Sequence, residues 1–179
     1  MINKLYRDCQ ALKSRGNGNW KYLYKINKLI VNIFYPFVAS LNNKKGVDEN
    51  SDVIVSLTTY PARIKTVWIT IASLLNQTYK PKVVVLYLAE EQFPNGFEEL
   101  PRRLLKLQKR GLEIVFVEDD LKPHKKYYYA FKEYKNDYVI TADDDIFYPE
   151  NHIEEFIRAS IEHPDAVICK RSHKIGFVE

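Results

Sequence analysis

Cysteine and glycine are scarce in this chain, and long apolar runs are missing. The two cysteines, Cys9 and Cys169, lie far apart and form no C-x-x-C pair, which excludes a disulfide framework and a cysteine zinc module and fits a reducing compartment. His124, His152, His163 and His173 show no metal-ligand spacing. Six glycines form neither a G-x-G-x-x-G fingerprint nor a Walker A loop, so dehydrogenase and P-loop kinase chemistries fall away. Together with eight prolines they are also too few for a low-complexity or collagen-like chain. The most apolar stretch, 29–41, is broken by Asn32, Pro36 and Ser40 and is too short to span a bilayer. It also starts too far from Met1 for a cleaved signal peptide.

What is present fits one folded core: 179 residues, 46% hydrophobic and 28% charged, with thirteen Tyr and nine Phe. The net charge of +4 conceals an asymmetry, because residues 1–45 hold nine Lys or Arg against the single acid Asp8. The remaining eighteen basic residues face twenty-two acidic ones, which makes a basic leader on a mildly acidic body. In the leader, Lys21, Lys25 and Lys28 follow one helical face, and Leu23, Ile26, Leu29, Ile30 and Ile33 follow another. Residues 1–50 are therefore expected to form a basic amphipathic helical extension. Its segment 20–41 either lies on an anionic membrane surface, with its aromatics at the lipid boundary, or packs on the domain itself. The abundance of aromatics favours lipid over nucleic acid, and no nucleic-acid partner is expected.

From Ser51 onward, short β-branched runs alternate with helical stretches. Strands are expected at 53–57, 82–88, 113–117, 138–142 and 166–169, and helices at 67–76, 100–109, 125–134 and 149–162. In the third helix Tyr128, Phe131 and Tyr134 recur at helical spacing. Cys169 is expected to be a core thiol of the fifth strand. The fold class is α/β, an open, mostly parallel sheet with flanking helices, over 51–179.

Such sheets bind ligands beyond the carboxyl ends of their strands. Three strand ends are polar here: Thr58-Thr59-Tyr60-Pro61-Ala62-Arg63, Glu118-Asp119-Asp120 and Asp143-Asp144-Asp145. Three adjacent carboxylates repel one another unless a cation sits among them, and hard oxygen donors favour Mg²⁺ or Mn²⁺, with Asp143 and Asp145 converging. His173 is a further candidate beside them. The structural alternative is a solvated acidic turn. A carboxylate after strand three, Asp119 or Asp120, suits a base N–H or a ribose hydroxyl, while Lys125, Lys126 and Arg63 suit phosphate.

The motifs VIVSLTTYPARI, SLLNQTYKPKVVVLYL and TADDDIFYP together resemble nucleotide-sugar-dependent glycosyltransferases of the GT-A fold. The likeness extends over about 52–173 and is nearest to the family-2-like bacterial enzymes of surface polysaccharide and lipooligosaccharide synthesis. It implies an Asp-x-Asp motif in which Asp145 binds a divalent metal directly and Asp143 binds metal or ribose, with Asp144 near the ribose or donor sugar. Thr58, Tyr60 and Arg63 would contact the nucleotide, Asp119 or Asp120 would read the base, and Lys125 or Lys126 would neutralise phosphate. The implied partners are a nucleotide-diphosphate-sugar donor and a glycan or glycolipid acceptor, with the protein cytoplasmic or peripheral at the inner membrane face. Such enzymes continue into an acceptor-binding part, so the chain is read as short at its C-terminus, without an assignable catalytic base and open to self-association. Two other readings stand beside this one: a non-catalytic nucleotide-sugar or membrane-surface module, and a metal-dependent phosphohydrolase that uses the clustered aspartates.

Overall fold

Two runs of β-branched and aliphatic residues, VIVSLT and VVVLYLA, are apolar on both faces, as strands buried inside a layered sheet must be. They form β1 (Val53–Thr58) and β2 (Val83–Ala89), and the chain continues through β3 (Leu112–Val117) to β4 (Tyr138–Thr141). The structure is a computed structural model describing residues 44–170 and the separate positions Tyr22, Lys25 and Ile26. Those three are helical and exposed, whereas the rest of the expected helix at 20–41, and His173, lie outside the described residues.

The sheet order is β3-β2-β1-β4, and every pairing is parallel. Val55 stands opposite Val84 on one side and Ile140 on the other, which puts β1 in the interior with the ends of β2 and β4 beside its own. Each crossover carries a helix: α1 (Val67–Leu74), α2 (Arg102–Leu105) and α3 (Lys125–Glu133). A last helix, α4 (His152–Glu162), follows β4.

Strand alternation divides the core into two. Val53, Val55 and Leu57, with Val84, Leu86 and Leu88, face Val67, Ile71 and Leu74 of α1, Leu104 of α2 and Ile153 of α4. Ile54, Val85 and Tyr87 point the other way, together with Val117 of β3 and against Ala130 of α3. The first layer is the larger, and among the described residues α3 covers the second almost alone.

Two expectations change. The helix expected over 100–109 is α-helical only at Arg102–Leu105 and tightens into a 3₁₀ turn over Lys106–Arg110. Gly111 ends it at φ 110°, where a Cβ would strike Val47 Cγ1 at 2.3 Å, so that turn requires glycine. No strand forms at 166–169: Val167 and Cys169 are exposed, and Cys169 is not a core thiol. A β-branched tetrapeptide needs a neighbouring edge to become a strand, and this one follows the Pro164-Asp165 turn, with Lys170 tied back to Glu155 of α4. In α3, Tyr128 and Phe131 face solvent while Lys125 and Ala130 are buried.

Candidate functional site

Because β1 and β4 are parallel neighbours, the chain leaves both at the same sheet edge. The Thr58–Arg63 loop therefore meets the Asp143–Asp145 turn. The N-terminus of α3 reaches this edge from the second layer, held by the Ser56 hydroxyl of β1, which donates to the carbonyl of Lys126. A cleft of about 560 Å³ opens there, lined by Thr58, Tyr60, Arg63, Lys125, Lys126 and the aspartate triplet, with Thr59, Gln92, Lys122, Pro123 and Ala142 completing its wall.

The three aspartates do different work. Asp144 turns inward: its Oδ2 accepts from Thr59 Oγ1 at 2.6 Å and its Oδ1 from Arg63 at 2.7 Å. Its main-chain carbonyl accepts from Thr70 Oγ1 of α1 at 3.0 Å. Anchored in this way, it sends its neighbours outward, and Asp143 and Asp145 keep 58% and 53% of their side-chain surface exposed. Asp143 pairs with Lys126 Nζ at 2.7 Å, and Asp145 with Arg63 at 2.9 Å. The hydrogen bond and charge of Asp144 raise the Arg63 guanidinium above its ordinary range, and Arg63 also lies over the Tyr60 ring at 5.5 Å.

Beneath the turn, the Asp143 N–H donates to the Tyr148 hydroxyl oxygen at 2.8 Å, and the Tyr148 N–H donates to Ser73 Oγ of α1 at 3.1 Å. Burial pushes the Tyr148 phenol up to about 12, so it stays neutral. His152 packs on this ring with centroids 4.5 Å apart, and burial together with the charge of Lys170 lowers it to about 4.

Asp119 and Asp120 do not line the cleft. Asp120 lies behind its wall, 4% exposed, with both oxygens engaged by Lys122, by the 2% exposed Lys125 and by Gln92 Nε2 at 2.8 Å. Burial alone would raise this carboxyl, but the bonds from Lys122 and Lys125 outweigh it and hold it well below the usual carboxylate range. Its role is to seat Lys125 and Gln92. Asp119 gives its main-chain carbonyl to the Tyr129 hydroxyl at 3.4 Å, and its side chain is exposed.

Sequence reasoning did not single out Thr59, Thr70, Gln92 or Tyr148. Thr59 had a signal, since it lies between two candidates, but the others are distant in sequence and meet the site only through the fold. Among the described residues, no group of three or more His, Cys, Asp or Glu is set to hold a metal ion. The donor set still suits a hard divalent cation: Asp143 and Asp145 offer only carboxylate oxygens, both are exposed, and further oxygens would come from a phosphate ligand.

Comparison with curated proteins and with solved structures gives no match. The model of the family described as Glycosyl transferase family 2 matches residues 54–178, the span that holds the sheet, the loop after β1 and the aspartate triplet. The all-parallel sheet with its flanking helices agrees with the α/β GT-A nucleotide-sugar transferase fold. This chain belongs to glycosyl transferase family 2.

Proposed function

We propose that the cleft binds a nucleotide-diphosphate-sugar donor and that the protein transfers the sugar to a surface glycan or glycolipid acceptor. The observation that carries this reading is the convergence of Arg63 and Lys126 with the outward carboxylates of Asp143 and Asp145 at one strand-end cleft. A diphosphate needs cations on its oxygens, and a divalent ion needs hard anionic donors. The cleft wall offers both.

Asp143 and Asp145 would hold Mn²⁺ or Mg²⁺, whose charge supports departure of the nucleoside diphosphate. Lys126 and Arg63, now paired with those carboxylates, turn to the phosphate oxygens once the carboxylates are engaged. Thr58 and Tyr60 border the nucleotide, and Asp144 stays in place as the anchor that aims its neighbours. Lys125 serves mainly by position, because its charge is already met by Asp120. In this reading residues 20–41 contact an anionic membrane surface, and the protein works at the cytoplasmic face. Among the described residues, no helix is long and apolar enough to cross a membrane.

A binding module without turnover is the second reading, and one observation favours it. All three cleft aspartates are held by Lys126 or Arg63, so none of them stands as an unengaged base. Equilibrium dialysis with labelled UDP-, GDP- and CDP-sugars and Mn²⁺ identifies the donor. Acceptor-dependent release of nucleoside diphosphate, tested with glycan and glycolipid extracts, then separates transfer from binding alone. A folded protein that retains none of these donors contradicts both readings.

A further inference from the structure

Three large apolar side chains of α3 face water. Phe131 is 58% exposed, and Tyr127 and Tyr128 are each 39% exposed. They form one surface: the Tyr127 ring lies 6.1 Å from Phe131 and 5.5 Å from His124, and its hydroxyl is 2.8 Å from His124 Nδ1. Other exposed apolar side chains, such as Phe97 and Ile161, lie on other elements. The orientation of α3 has a visible cause, since Lys125 is drawn inward to Asp120 and the Lys126 carbonyl is held by Ser56. Tyr129 stacks on Tyr87, and Ala130 closes the second core layer.

Among the described residues, the charge on this face is mainly positive. Lys132 lies 4.1 Å above the Tyr128 ring and donates to its hydroxyl at 2.6 Å, and exposed Lys135 follows the helix. Glu133, the helix's acidic residue, accepts from the Tyr87 hydroxyl at 3.1 Å on the sheet side, and the exposed Asp119 carboxylate acts on Lys132. Aromatic rings flanked by lysines match the boundary of an anionic lipid surface: rings enter the head-group layer and ammonium groups meet phosphates. A second protein chain would be expected to cover such rings with apolar surface but gives no reason for the lysines beside them.

We propose that the outward face of α3, formed by His124, Tyr127, Tyr128, Phe131 and Lys132, docks on an anionic lipid surface. Lys122, Pro123, Lys125 and Lys126 at the start of this segment line the cleft, so docking presents the cleft mouth to the lipid and implies a lipid-borne acceptor. The acceptor class rests on the transferase reading. The docking does not, and it is measured without donor.

The test uses the full chain with Phe131→Trp, read as the change over the parent's Trp20 and Trp68, on phosphatidylcholine vesicles with and without phosphatidylglycerol. Ile161→Trp, at a 72% exposed position of α4, is the control. The expected result is a blue shift and quenching by brominated acyl chains at 131, on anionic vesicles only, with no change at 161. Tyr127→Ser with Phe131→Ser should lower vesicle partitioning about tenfold while circular dichroism and nucleotide binding are retained. Vesicle binding without any change at 131 would assign the contact to another segment and overturn the proposal. So would a shift at 131 that appears without lipid as the protein is concentrated and follows a sedimenting dimer, because the face would then be a self-interface. If position 131 enters lipid but no nucleotide binds, the transferase reading fails and the docking stands.

Discussion

Two carboxylate–lysine pairs lie on either side of the start of α3, and burial separates their roles. Asp120–Lys125 is sealed, with 4% and 2% of the side chains exposed. Asp143–Lys126 has the same chemistry on the cleft side, with 58% and 20% exposed. A buried pair has lost most of its water, so removing Asp120 leaves Lys125 as an uncompensated charge. An open pair is weak in water and can exchange partners at little cost. The first belongs to the scaffold, and the second is available to a ligand.

The largest effect should come from breaking the sealed pair. Asp120→Ala is expected to cost about 3–5 kcal/mol in denaturant unfolding, with much of it recovered when Lys125→Met is added. Because the folded-state Asp120 carboxyl is held below its ordinary value, its contribution is present above the unfolded pKa and is lost as pH falls through the folded one. A neutral result for Asp120→Ala would erase the contrast between the pairs.

His152, under Tyr148, gives a second acid response. Its folded pKa of about 4 lies below the unfolded value near 6.5, so between these the unfolded chain binds more protons and stability falls as pH drops. The loss should approach roughly 2–3 kcal/mol by pH 4, and His152→Phe should flatten the curve over that window.

For the open pair, Lys126→Ala should act in two directions. Nucleoside diphosphate affinity in the presence of Mn²⁺ should fall about tenfold, while Mn²⁺ alone should bind a few-fold more tightly because Asp143 has lost its resident cation. Calorimetry measures both, and a change of the same sign in each would reject partner exchange. The smallest effect is on stability: Asp143→Asn should shift unfolding by less than about 1 kcal/mol.

The same contrast explains what the sequence revealed. β1 and β2 were legible because uninterrupted aliphatic runs have few other uses, and the aspartate triplet because its charge density at a strand exit demands a partner. The orientation of α3 was not, since the helical spacing of Tyr128, Phe131 and Tyr134 does not say that Tyr128 and Phe131 face water while Tyr134 packs against the second core layer. Asp120 looked like a ligand-reading acid, yet only the packing of Lys125 and Gln92 shows that its oxygens are already engaged. At 166–169 local β preference was visible, but the edge that would complete a strand was not.

The most direct test of the account is calorimetric titration of UDP, GDP and CDP, with and without Mn²⁺, into the wild-type protein and the Asp143→Ala, Asp145→Ala double variant. The account predicts metal-dependent binding of one nucleotide by the wild type, lost in a variant that unfolds like the wild type. Undiminished binding by that variant, or no binding of any nucleotide by the folded wild type, would contradict it.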